Sequence, residues 1–123
     1  MTYQHSVMVV DDTPHNLRLL IETVAQLGVE TRPILDGETA MKAAILQPPD
    51  LILLDIRMPC MDGLEVCRHL KQLRTLSHIP VIFVTAELSI TVTEQAHAVG
   101  GLITKPINTI QVRDLVQEIL ELS

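Results

Sequence analysis

Aromatic residues are almost absent: Tyr3 and Phe83 are the only two, 2% of the chain, and tryptophan is missing. Without aromatic faces there is no platform on which nucleobases or a flavin ring would stack. Positive charge is also scarce, with 9 Lys+Arg against 15 Asp+Glu and a net charge of −6. Such a chain has little with which to displace counterions from a phosphate backbone, so direct nucleic-acid binding is not expected. Cysteine occurs twice, as Cys60 and Cys67, in no CxxC or histidine-rich spacing. That argues against a zinc site or a disulfide framework and for a reducing, cytoplasmic setting. Strictly apolar runs do not exceed four residues, and no basic, apolar leader opens the sequence, so neither a membrane span nor a signal peptide is expected. Glycine and proline are too few for a collagenous or low-complexity chain, and 47% hydrophobic residues suffice for a core. The 123 residues predict one domain, residues 1–123 with a core over about 7–122, and no room for a separate output domain.

Short apolar runs alternate with helical patterns from end to end. Ser6–Val10, Leu51–Leu54 and Val81–Val84 are rich in branched residues and lack in-out alternation, as strands covered on both faces do. Val29–Leu35 contains Pro33 and suits an edge strand, and Gly101–Thr104 is the fifth candidate. The first helix spaces Leu17, Leu20, Ile21 and Val24 on one face, with Thr13 as N-cap, Pro14 at the first helical position and Gly28 as its stop. Gly37–Gln47, Asp62–Leu73 and a last helix carrying Val112, Leu115, Val116, Ile119 and Leu120 follow the same logic. The fourth crossover is the weakest, because Ser89–Thr93 is almost all β-branched. Five β-α repeats imply a parallel sheet with right-handed crossovers and helices on both faces.

In such a sheet the binding crevice lies beyond the carboxyl ends of the strands. The residues there are Asp11 and Asp12 after the first strand, Asp55 after the third, Thr85 after the fourth and Lys105 after the fifth. Each alone has an ordinary explanation as a cap or a loop charge. Together they are three carboxylates against one ammonium, and like charges at close range need a proton or a cation to stay together. An incomplete shell of hard oxygen ligands suits Mg²⁺.

These residues, read in their segments, carry a resemblance. Val9-Val10-Asp11-Asp12-Thr13-Pro14, Leu53-Leu54-Asp55-Ile56-Arg57-Met58-Pro59 with Met61-Asp62-Gly63, Pro80-Val81-Ile82-Phe83-Val84-Thr85-Ala86 and Thr104-Lys105-Pro106 occur in order over nearly the whole length. The chain resembles the receiver domain of two-component response regulators. That resemblance implies an α/β, flavodoxin-like fold: a doubly wound five-stranded parallel sheet in the order 2-1-3-4-5, with five helices. It implies that Asp55 accepts a phosphoryl group from a phosphohistidine on a histidine kinase or histidine phosphotransfer protein. Asp11, Asp12, Asp55 and the backbone carbonyl of Arg57 would hold Mg²⁺, with Mn²⁺ as a substitute, and Thr85 and Lys105 would contact the phosphoryl oxygens. The chain would be a self-phosphorylating and self-dephosphorylating switch rather than an enzyme with turnover. Its readout would be the surface of helix 4, strand 5 and helix 5, delivered to an effector protein or a missing output domain, with a homodimer on phosphorylation as a family expectation.

Two departures from the family pattern stand out. The segment before Lys105, Gly100-Gly101-Leu102-Ile103-Thr104, looks about two residues short. The aromatic that usually rotates on activation is absent, and Leu102 stands in its place. Switching is therefore expected to rely on Thr85 and the helix after strand four. Arg57 and Glu87, two residues beyond Asp55 and Thr85, are expected to meet over the pocket and to modulate the phospho-Asp55 lifetime. Cys67 is expected in the core and Cys60 at the surface. His5, His15, His69, His78 and His97 show no ligand spacing. A flavin carrier is disfavoured because Asp11-Asp12 would repel phosphate. An aspartyl-phosphate hydrolase is disfavoured because no Asp-x-Asp follows strand one. A degenerate receiver serving only for docking, or a receiver cut from a larger hybrid kinase or multidomain regulator, is the remaining alternative.

Overall fold

The computed structural model describes residues 2–122. Ten elements alternate: β1 Ser6–Val10, α1 Pro14–Ala25, β2 Glu30–Ile34, α2 Gly37–Leu46, β3 Leu51–Leu54, α3 Gly63–Lys71, β4 Val81–Thr85, α4 Ile90–Val99, β5 Gly100–Thr104 and α5 Thr109–Ile119. All strand pairs are parallel, in the order β2-β1-β3-β4-β5.

The continuous apolar runs are explained by two cores, one on each face. Met8, Val10, Ile52, Leu54, Val81 and Phe83 pack under residues of α2, α3 and α4. Their neighbours Val7, Val9, Leu51, Leu53, Ile82 and Val84 pack under α1 and α5. Successive side chains alternate between faces, so a strand buried on both sides needs apolar residues at every position. Pro33 falls in edge strand β2, where a missing N–H is tolerated.

Helix ends show where local chemistry differed from expectation. Thr13 occupies the N-cap position of α1, but its side chain makes no capping bond; its own N–H instead donates to Asp11 Oδ1 at 2.9 Å. The helix starts on Pro14, whose fixed φ and missing N–H suit that position. Asp36 caps α2 by accepting from Thr39 N, and Asp62 caps α3 by accepting from Glu65 N. Helix α3 is shorter than its apolar spacing suggests, ending at Lys71 and leaving Leu73 outside. The β-branched run before α4 forms its first turn after all. Ser89 Oγ accepts from Val92 N, and Thr93 Oγ1 donates back to Ser89 O. The Ser89 cap thus offsets part of the weak propensity.

The short segment before Lys105 takes an extreme form: α4 ends at Val99 and β5 begins at Gly100, one residue earlier than expected, with no loop between them. Glycine is needed there, because a Cβ on Gly100 would lie 2.4 Å from the Val81 carbonyl oxygen. Gly100→Ala should therefore destabilise the protein by about 1–3 kcal/mol, read as a lower urea midpoint at unchanged slope.

Candidate functional site

The register of the sheet builds the site. Val10 pairs with Leu54, and Asp55 N donates to Val10 O at 2.9 Å, so the next residues, Asp11 and Asp55, emerge side by side. Thr85 pairs with Thr104, and Lys105 N donates to Thr85 O at 2.9 Å, so Lys105 emerges beside Thr85. Thr85 is the last residue of β4 rather than the first beyond it. Asp11, Asp55 and Thr85 are buried, and Asp12 is open to solvent.

Lys105 bridges the two buried acids. Its Nζ lies 3.2 Å from Asp55 Oδ2, with which it hydrogen-bonds. It lies 3.1 Å from Asp11 Oδ2 in a charge contact that is not aligned as a hydrogen bond, which leaves that buried oxygen with no hydrogen-bond donor. Asp55 Oδ1 accepts from Arg57 N at 3.3 Å. Burial and the neighbouring Asp11 charge push the Asp55 carboxyl above its usual range, against the opposing pull of Lys105 and the Arg57 N–H. For Lys105, burial pushes the ammonium down, but the facing Asp11 and Asp55 outweigh it and leave the value raised.

Asp11, Asp12 and Asp55 each present an oxygen within 4.8 Å of the others. Three carboxylates and one ammonium leave an excess of two negative charges. The buried Asp11 Oδ2, ion-paired to Lys105 without a hydrogen bond, and the all-oxygen donor set fit a hard divalent cation.

Around this centre, Thr85 Oγ1 accepts from Glu87 N at 3.1 Å. Arg57 Nη2 donates to Glu87 Oε1 at 2.9 Å, so the two side chains expected over the pocket do meet. Leu102 pairs with Phe83 and packs half-buried against the core rather than entering the acidic cluster. Cys67 is buried and Cys60 exposed. The residue whose importance sequence reading missed is Gly63: a Cβ there would lie 2.2 Å from Asp55 O, so its bareness lets α3 close on the strand end. The Asp62-Gly63 pair was visible, but the contact that demands it spans the β3-α3 loop.

A sequence model of the response regulator receiver domain matches residues 7–117. The chain belongs to that family. It is 46% identical over 80 residues to the response regulator PleD of Caulobacter vibrioides, covering 65% of this chain and 18% of PleD. It is 44% identical over 81 residues to the polar-differentiation response regulator DivK of Brucella ovis, covering 66% of each. The chain thus spans less than two thirds of the length of either relative. The solved structure of the Mn²⁺-bound response regulator Rcp1 superposes with a TM-score of 0.84 at 27% identity, over 97% of this chain and 96% of Rcp1. Among the described residues no helix is long and apolar enough to cross a membrane.

The raised Asp55 value has a defined sign. A carboxyl that holds its proton more tightly when folded stabilises the fold at acid pH. That contribution is lost as pH rises through the raised value, so ionised Asp55 opposes folding at neutrality. Without metal, Asp55→Asn should raise the melting midpoint at pH 7 by about 3–6 °C, with the gap closing toward pH 4. Scanning calorimetry at both pH values checks this, and equal midpoints at pH 7 would contradict it.

Proposed function

We propose that this receiver domain accepts a phosphoryl group on Asp55 from a phosphohistidine of a histidine kinase or histidine phosphotransfer protein. The observation that supports this most is the shared edge at which the Lys105 ammonium contacts both Asp55 Oδ2 and Asp11 Oδ2. An Asp55 carboxylate oxygen attacks phosphorus in line, the P–N bond breaks, and the leaving imidazole nitrogen takes up a proton. Asp11, Asp12, Asp55 and the Arg57 carbonyl hold Mg²⁺, or Mn²⁺ in its place. When bound, that ion neutralises charge on the transferring phosphoryl oxygens. Lys105 is already placed to share a phosphoryl oxygen. Thr85 is primed as a donor, because its oxygen accepts from Glu87 N and so leaves its own proton free.

Phosphorylation adds about −1.5 to −2 charge at neutral pH. Thr85 turning toward that charge pulls on Glu87 N and, through it, on the loop leading into α4. With Leu102 in place of a mobile ring, α4 and its direct junction to β5 carry the signal to the α4-β5-α5 face. That face meets an effector protein or an output domain outside this chain, or a second copy of the receiver. The setting is cytoplasmic, the expected place for an acidic phosphorelay domain. The domain acts as a switch, with its own dephosphorylation as the only turnover.

Incubation with acetyl phosphate and Mg²⁺ should add one phosphoryl mass to the intact wild-type chain and none to Asp55→Asn. An unmodified wild type would remove the proposal. The Arg57–Glu87 pair, anchored two residues beyond Asp55 and Thr85, hinders attacking water, so Arg57→Ala should shorten the phospho-Asp55 lifetime by up to about fivefold, the range of an exposed ion pair. An unchanged decay of the phosphorylated mass would refute that role.

A further inference from the structure

Away from the acidic pocket, a cleft of about 200 Å³ separates α3 from α4 over β4. Its α4 wall carries Gln95 together with the short side chains Ala98 and Val99. Phe83 and Cys67, both buried, lie at its base. The lining is thus apolar below and charged at one edge, where Arg68 and Lys71 of α3 stand. In a chain of net charge −6, three of the nine Lys+Arg residues, Arg68, Lys71 and Arg74, fall within one short stretch. Lys71 Nζ donates to the Ser77 and Ile79 carbonyls, which fixes the ammonium at this edge and leaves one proton free. Among the described residues, Arg68 has no ion-pair partner.

We propose that this cleft binds a small amphipathic carboxylate, with its apolar body over Phe83 and Cys67 and its carboxylate against Arg68 and the free Lys71 proton. The volume sets the size. An apolar cavity of about 150 Å³ in another protein takes up benzene, so this cleft fits one ring with a short acid arm. The charged edge sets the sign, since a guanidinium and an ammonium together favour a carboxylate over a neutral head group. A ligand held there braces α4 against α3. The site is separate from Asp55 and is tested on unphosphorylated protein, so it stands or falls independently of the phosphoacceptor role.

Phenylacetate titrated into the full chain and followed by ¹H–¹⁵N correlation spectra is the direct test. Saturable shifts are expected at Cys67, Ala98 and Val99, with a midpoint of about 1–10 mM, as befits a ligand of some ten heavy atoms. Benzyl alcohol should bind at least about fivefold more weakly, and Arg68→Gln should weaken phenylacetate to a similar degree. Ala98→Phe, at an exposed position, should fill the cleft and abolish the shifts while leaving the remaining spectrum native. Shifts that fail to saturate, or that persist in Ala98→Phe, would overturn the site. Equal affinity for benzyl alcohol would overturn the carboxylate assignment.

Discussion

Two carboxylates share one ammonium at the carboxyl edge of the sheet, and the rest of the site follows from that imbalance. Asp11 and Asp55 are neighbours because β1 and β3 are neighbours in register, and Lys105 reaches both from β5 across β4. Water that would otherwise screen the acids is excluded, as both are buried. The consequences are a raised Asp55 carboxyl, a buried Asp11 oxygen without a donor and a Lys105 held firmly charged. A divalent cation would relieve the first two of these by supplying positive charge to the crowded carboxylates.

The same edge supplies a route outward. Thr85 ends β4, Glu87 holds its hydroxyl through a backbone N–H, and the Glu87 side chain holds Arg57 from the Asp55 loop. A small turn of the threonine is therefore felt in two loops. Beyond them, α4 passes into β5 with no intervening residue, and the Gly100 contact with Val81 ties that junction to the strand carrying Thr85. In the proposed switch the α4 end moves as a unit, with Leu102, half-buried against the core and paired with Phe83, in place of a rotating ring.

Most of this architecture was legible from residues alone. The convergence of Asp11, Asp12, Asp55, Thr85 and Lys105 follows from apolar runs and the rule that crevices form at strand ends, whereas the strand order came from the family resemblance those residues carry. What stayed hidden depends on close approach in three dimensions. Gly63 and Gly100 look like ordinary turn residues until the carbonyls of Asp55 and Val81 are seen beside them. Thr13 holds the N-cap position of α1 without a side-chain capping bond, and its backbone N–H is taken by the Asp11 carboxylate. Helix α4 defied its composition because Ser89 caps its first turn by accepting from Val92 N, which propensity averages do not see.

Asp11 and Asp55 against the single Lys105 ammonium leave an excess of buried negative charge that a divalent cation would answer. Calorimetric titration with Mg²⁺ tests it most directly, comparing wild type, Asp11→Asn and Lys105→Ala. One Mg²⁺ per wild-type chain is expected, with loss of binding in Asp11→Asn and equal or tighter binding in Lys105→Ala, whose carboxylates have lost the Lys105 ammonium. Absent wild-type binding, or binding indifferent to Asp11→Asn, would contradict it.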